Sequence, residues 1–133
     1  MSRSQTRNPT KRSPLVPRVK VWLETEGCYA FGLGIAEILQ AVDRAGSIKQ
    51  AAGHLGKSYR YVWGRIKEAE HALAQPLVET RVGGQGTHRS FLTPVARKLV
   101  NAFLAVRRRL MQVVEHECRT HFTWPVARTA KNP

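Results

Sequence analysis

The sequence is short of acid, of cysteine and of long apolar runs, and each shortage closes off a class of protein. Of its 133 residues only 9 are Asp or Glu, against 22 Lys and Arg, which leaves a formal net charge of +13. No paired carboxylates, Ser/His/Asp set or activated cysteine can be assembled from what is there, so no catalytic residue is assigned and an enzyme is not expected. Two cysteines, Cys28 and Cys118, make no disulfide framework and suit a reducing cytoplasm. No apolar run approaches the ~18 residues needed to span a bilayer, and the polar, basic N-terminus has no signal-peptide core. A membrane partner is not expected. What the chain has in surplus is positive charge, which favours an anionic partner, with double-stranded DNA first.

The chain is organised around residues 46–66. Ser47 is placed to cap a helix that sets Ile48, Ala51, Ala52 and Leu55 on one face. Leu55-Gly56-Lys57 turns the chain, Gly56 being free to take a positive φ. Ser58 can cap the next helix, whose apolar positions Val62, Ile66, Ala69 and Leu73 recur at four, three and four residues. At about 100° per residue, Arg60, Gly64, Lys67 and His71 point away from that stripe. Tyr59, Tyr61 and Trp63 lie on the flanks, and Ser58 sits at the tip. A recognition helix offers such groups to base edges and phosphates. Glycine inside a helix costs roughly 1 kcal/mol against alanine, so a nucleic-acid backbone is expected to come close at Gly64. An ordinary helical hairpin with a solvated basic face shares the pattern.

Residues 1–17 carry little apolar surface and are expected to be a disordered basic arm. Arg3, Arg7, Lys11 and Arg12 either follow DNA phosphates or serve only solubility. From 18 to 93 the pattern is that of one domain. Val16 to Glu24 alternates Val19, Val21 and Leu23 with Arg18, Lys20 and Trp22, which predicts a half-buried strand. A turn at Glu26-Gly27 and an extended piece over Cys28–Phe31 complete a small hairpin. Ile35, Ile38, Leu39 and Val42 predict a helix that ends at Ala45-Gly46.

Pro76 ends the recognition helix. Leu77–Val82 and Arg89–Leu92 read as strands around a glycine-rich loop, Gly83 to His88, flanked by Arg81 and Arg89, which together make a wing. Thr93-Pro94 starts a helix over 94–117. Its Leu99, Phe103, Val106, Leu110 and Val113 alternate four and three apart, a seam expected to join two copies. Arg107-Arg108-Arg109 is expected to be a solvated face. The tail, 118–133, has no period. His116, Cys118 and His121 are spaced within reach of a metal, but three groups near a frayed helix end are not enough, and no metal or cofactor is expected.

These runs resemble a known family. Ala-Gly-Ser-Ile-Lys-Gln-Ala-Ala (45–52), Leu-Gly-Lys-Ser-Tyr-Arg-Tyr-Val-Trp (55–63), Pro-Leu-Val-Glu-Thr-Arg-Val-Gly-Gly-Gln-Gly (76–86) and Leu-Thr-Pro (92–94) resemble the N-terminal DNA-binding domain of the ModE regulators, over about residues 18–117. The more general Gly-Ser-…-Ala-Ala and Leu-Thr-Pro features are shared with LysR-type regulators. The resemblance implies a mainly α fold with a small β component: a winged helix-turn-helix followed by a long C-terminal dimerisation helix. It also implies a dimer on a pseudo-palindromic operator. Carried over by position, Ser58, Tyr59, Arg60 and Trp63 would contact DNA, with the wing from Gly83 to Arg89 on the backbone. The full expected DNA-facing set adds Lys57, Gly64 and Lys67, with Arg81, Gly84, His88 and Arg89 from the wing. Two departures stand out. Thr87-His88-Arg89 replaces glycine where the family continues with it. Molybdate-sensing members also carry C-terminal oxyanion-binding β-domains that this sequence does not show, so molybdate binding is not expected of it. Either the chain is a stand-alone regulator, or its signal arrives through a partner protein.

A cytoplasmic, dimeric, sequence-specific transcriptional regulator is the reading that joins these features. Two others share parts of them: a dimerising adaptor for a full-length regulator, and a non-specific nucleoid-type DNA binder.

Overall fold

A tight turn at Glu26 (φ 51°) and Gly27 (φ 77°) folds the chain into its first hairpin. Here β1 (Trp22–Thr25) pairs antiparallel with β2 (Cys28–Gly32), with an irregular register between Leu23 and Glu24. The computed structural model describes residues 12–84 and 88–129. They fall into two compact units, one of the described residues between 21 and 107 and the other of residues 12–20 with 108–129.

The half-buried strand expected over Val16–Glu24 does not form. Only its last three residues join β1, and every residue of β1 is exposed. Trp22 pairs with Gly32, the last residue of β2, so the residues before Trp22 have no strand left to pair with in this ladder. Burial belongs to β2, which carries Ala30, Phe31 and Gly32 inward.

The next three helices follow their sequence signals closely. Helix α1 (Leu33–Ala45) buries Ile35, Ile38, Leu39 and Val42 and stops at Gly46, whose φ of 76° is the left-handed conformation that glycine adopts without penalty. Helix α2 (Ile48–Leu55) opens with the Ser47 hydroxyl accepting the Gln50 N–H at 3.0 Å, and it buries Ala51 and Ala52. The turn passes through Gly56 at φ 65°. Helix α3 (Tyr59–Leu73) begins with Ser58 accepting the Tyr61 N–H at 3.1 Å, and it buries Val62, Ile66 and Ala69. It ends before Pro76, through Ala74 in a left-handed conformation (φ 52°).

The wing is a two-stranded ribbon, β3 (Val78–Val82) antiparallel to β4 (His88–Leu92). Residues 85–87 of its expected tip lie outside the described residues. The ribbon is tied at its base: the Ser90 N–H donates to the Gly46 carbonyl at 2.8 Å, and Thr80 and Ser90 hydroxyls meet at 3.2 Å. Thr93 then starts α4 (Pro94–His121). Its hydroxyl oxygen accepts the Ala96 N–H at 3.1 Å while its O–H donates to the Pro76 carbonyl at 2.8 Å. Helix α4 runs four residues past the Glu117 end expected from sequence, so Cys118 and His121 are helical. Among the described residues no three His, Cys, Asp or Glu side chains converge as a metal site, and no helix is long and apolar enough to cross a membrane.

Two members of the expected seam are spent inside the chain. Phe103 is 3% exposed and meets Phe31 edge-on, with centroids 5.5 Å apart, while Leu99 packs on the same core. A period of alternating four and three cannot separate a seam facing a partner from a stripe facing the helix's own domain. Val106, Leu110 and Val113 are the seam positions left exposed, at 53%, 36% and 41%. Asp43 grips Arg97 with two bonds of 2.8 and 2.9 Å, fastening α1 to α4.

The other unit revises the reading of the arm. Residues 1–11 lie outside the described residues, but residues 12–17 do not form a free tail. Leu15 pairs with the C-terminal segment through Leu15 N–H to Pro125 O and Ala127 N–H to Leu15 O, both 2.8 Å. The Trp124 indole N–H donates to Ser13 O at 2.9 Å, and the Arg12 guanidinium lies 4.5 Å from the Trp124 ring centroid. Glu115 accepts both the Thr129 N–H (3.2 Å) and its hydroxyl (3.3 Å) and pairs with Arg119 at 2.8 Å. The periodless tail is therefore a strap, held by bonds that leave no hydrophobic period to read.

Candidate nucleic-acid interface

Because Val62, Ile66 and Ala69 face the core, the opposite side of α3 is turned outward. Tyr59, Arg60, Tyr61 and Trp63 are all exposed over its first turns. Arg60 forms no ion pair among the described residues, so its five N–H donors remain available to an incoming acceptor. Ser58 already accepts from the backbone, which leaves its O–H as a donor. The remaining expected cations are engaged. Lys57 Nζ lies 5.3 Å from the Tyr61 ring centroid. Lys67 pairs with Glu70 at 3.1 Å and lies 5.5 Å from the Trp63 ring. Charge on this helix is thus mixed with aromatic surface, and each ammonium helps hold a ring in place.

At Gly64 a Cβ would meet nothing within 4 Å. The fold does not itself demand glycine there, and the space beside the helix axis is open.

The wing divides its candidates between two faces. Arg81 is the ladder partner of Arg89, and Glu79 of Phe91, so these four side chains share one face. Both guanidinium groups lie over the Phe91 ring, Arg81 at 5.4 Å and Arg89 at 5.6 Å. His88 belongs to the other face, with Thr80 and Ser90, and so does not join the arginine pair. Gly84 is exposed at the described edge of the tip.

Several residues with structural roles near this surface had no signal in the sequence pattern. Glu70 accepts the N–H groups of Leu77 and Val78 at 2.7 and 3.3 Å. Arg65 lies 5.4 Å from the Tyr29 ring, pairs with Glu68 at 3.5 Å, and keeps a buried Nε–H with no partner. Arg65 and Glu68 are neighbours at i,i+3 on α3, but only proximity in three dimensions brings Glu70 to Leu77 and Arg65 to Tyr29. The bidentate Asp43–Arg97 pair, 54 positions apart, is of the same kind.

Comparison with known proteins agrees with this geometry. Residues 34–97 match the bacterial regulatory helix-turn-helix protein family of lysR type. The chain is 36% identical over 69 residues to the molybdenum-pterin-binding protein MopB of Rhodobacter capsulatus, covering 52% of this chain and 26% of that protein. It is 31% identical over 80 residues to the molybdenum transport protein ModE of Herbaspirillum seropedicae, covering 60% of this chain and 30% of that protein. MopA of Rhodobacter capsulatus, also named a molybdenum-pterin-binding protein, is 30% identical over 81 residues, covering 61% of this chain and 31% of that protein. The matched stretch spans under a third of each relative. Residues 34–97 are therefore similar to the regulatory helix-turn-helix domain of the lysR type, in a chain whose sequence is similar to part of ModE.

Proposed function

We propose that the chain is a sequence-specific DNA-binding transcriptional regulator that acts as a homodimer in the cytoplasm. One observation carries the reading: α3 presents Arg60, exposed and without an ion pair among the described residues, on the same domain as a wing that presents Arg81 and Arg89 on one face. A guanidinium near the start of a recognition helix suits the O6 and N7 acceptors of guanine. A wing with paired arginines suits phosphate. The lysR-type match over residues 34–97 supports DNA as the partner. Dimerisation is supported by the exposed stripe of Val106, Leu110 and Val113 along α4.

No molybdenum chemistry is proposed for these residues. The relatives' names concern proteins more than three times the length of the matched stretch. No catalytic step is proposed either.

Selection from randomised duplexes with the purified chain tests the reading. A two-fold symmetric site is expected, with half-sites about 34–36 Å apart or a multiple of that. Recovery of unrelated sequences, with affinity set by salt alone, would favour a nucleoid-type binder. No affinity for any duplex, with stable mixed dimers formed with a full-length ModE-type regulator, would favour an adaptor.

A further inference from the structure

We propose that Glu70 is a positioning residue that fixes the angle of the wing against the recognition helix, an inference that rests on the DNA-binding reading above. Glu70 lies near the end of α3, and its side chain is 13% exposed. Its two carboxylate oxygens do different work. Oε2 accepts the N–H of Leu77 at 2.7 Å and of Val78 at 3.3 Å, the two residues at which the wing begins. Oε1 faces the Lys67 ammonium at 3.1 Å, and that ammonium lies 5.5 Å from the ring of Trp63 on the exposed side of the same helix.

The carbonyls of the same short segment are held from another side. Thr93 donates its hydroxyl to Pro76 O at 2.8 Å and its N–H to Leu77 O at 3.0 Å. Gln75 N–H returns to Glu70 O at 3.2 Å. Between α3 and β3 the chain therefore has little slack, and among the described residues Glu70 is the α3 side chain that hydrogen-bonds to the wing's root. Leu77 is fully buried, so its N–H has no water to fall back on.

The lever is long enough for this to matter. From Val78 to Arg81 is three strand steps, roughly 10 Å. A tilt of about 10° at the root would carry Arg81 nearly 2 Å, well beyond the ~0.5 Å within which a binding constellation must be held. Loss of Glu70 should thus be felt at Arg81, although the two do not touch. The carboxylate also sits close to a face that would meet phosphate. Two N–H donors and one ammonium offset its charge there.

The test uses the full chain with Glu70→Ala, Glu70→Gln and Arg81→Ala, alone and combined. Amide hydrogen exchange reads the root without DNA. Glu70→Ala is expected to speed exchange at Leu77 and Val78 tenfold or more while leaving Val62 unchanged, and Glu70→Gln, which keeps one acceptor oxygen, should fall between it and the wild type. Binding to a selected duplex reads the coupling. Arg81→Ala should cost about tenfold in affinity in the wild-type background and under twofold beside Glu70→Ala. Unchanged protection at both amides overturns the proposal, as does an Arg81→Ala effect of equal size in both backgrounds. If Glu70→Ala does not fold, the same comparisons are made with Glu70→Gln, and protection equal to wild type at both amides is the contradicting result. If the wild-type chain binds no duplex, the function reading fails, and the exchange data alone decide the clamp.

Discussion

Arg81 and Arg89 stand directly opposite each other in the wing ladder, and both guanidinium groups lie over the one ring of Phe91. Like charges in this position repel. The aromatic face offsets part of that repulsion, and a phosphate placed between the two would reverse it. Replacing either arginine by alanine is expected to leave thermal stability unchanged or slightly raised. The slope of log K against log salt should fall by about one for each phosphate contact removed, with sequence preference intact. Titration of each variant against one duplex at several salt concentrations checks this.

Arg60 should behave differently. If it reads a base edge, Arg60→Ala costs about 1–3 kcal/mol on the selected site and much less on random duplex. Equal losses on both would make it a phosphate contact. Competition binding with specific and scrambled duplexes separates the outcomes.

Gly64 offers a substitution in which stability and binding should move in opposite directions. A Cβ there meets no protein atom within 4 Å, so Gly64→Ala should stabilise the helix by about 1 kcal/mol. A nucleic-acid backbone approaching that point would turn the same methyl into an obstacle. Denaturant unfolding and DNA affinity, measured side by side, are expected to rise and fall respectively.

The strap between α4 and the tail carries a pH dependence. The Thr129 N–H bonded to Glu115, aided by the charge of Arg119 and Arg128, holds the Glu115 carboxyl below its ordinary value. A carboxylate with a lowered folded pKa stabilises the folded form above its unfolded pKa, and that contribution is lost as the pH falls through the folded one. The protection factor of the Thr129 amide, the exchange rate of an unstructured amide at the same pH divided by its own, should therefore fall on acidification below the usual carboxylate range. Glu115→Gln should flatten that response.

The helix-turn-helix was legible because its signals are local. Ser47 and Ser58 cap within three residues, Gly56 takes the one φ the turn needs, and Val62, Ile66 and Ala69 keep a helical period. The wing followed from Pro76 and the glycine-rich loop, with strand ends within a residue of expectation. What escaped depends on contacts distant in sequence. The α4 stripe divides between Phe103, buried against Phe31, and Leu110, left exposed, because the domain core reaches only so far along the helix. The strap holding Leu15 and Ser13 is built from backbone groups and one indole N–H, which leave no trace in hydrophobic pattern. Ladder register separated His88 from Arg81 and Arg89, and spacing along the chain could not.

The most direct measurement is the number of chains on one DNA site. Sedimentation of the purified protein with a duplex recovered by selection should give two chains per symmetric site, and Leu110→Asp in the exposed stripe should reduce this to weak, single-chain binding without unfolding the domain. A folded wild-type chain that remains single on DNA and shows no preference among duplex sequences would contradict the dimeric, sequence-reading regulator.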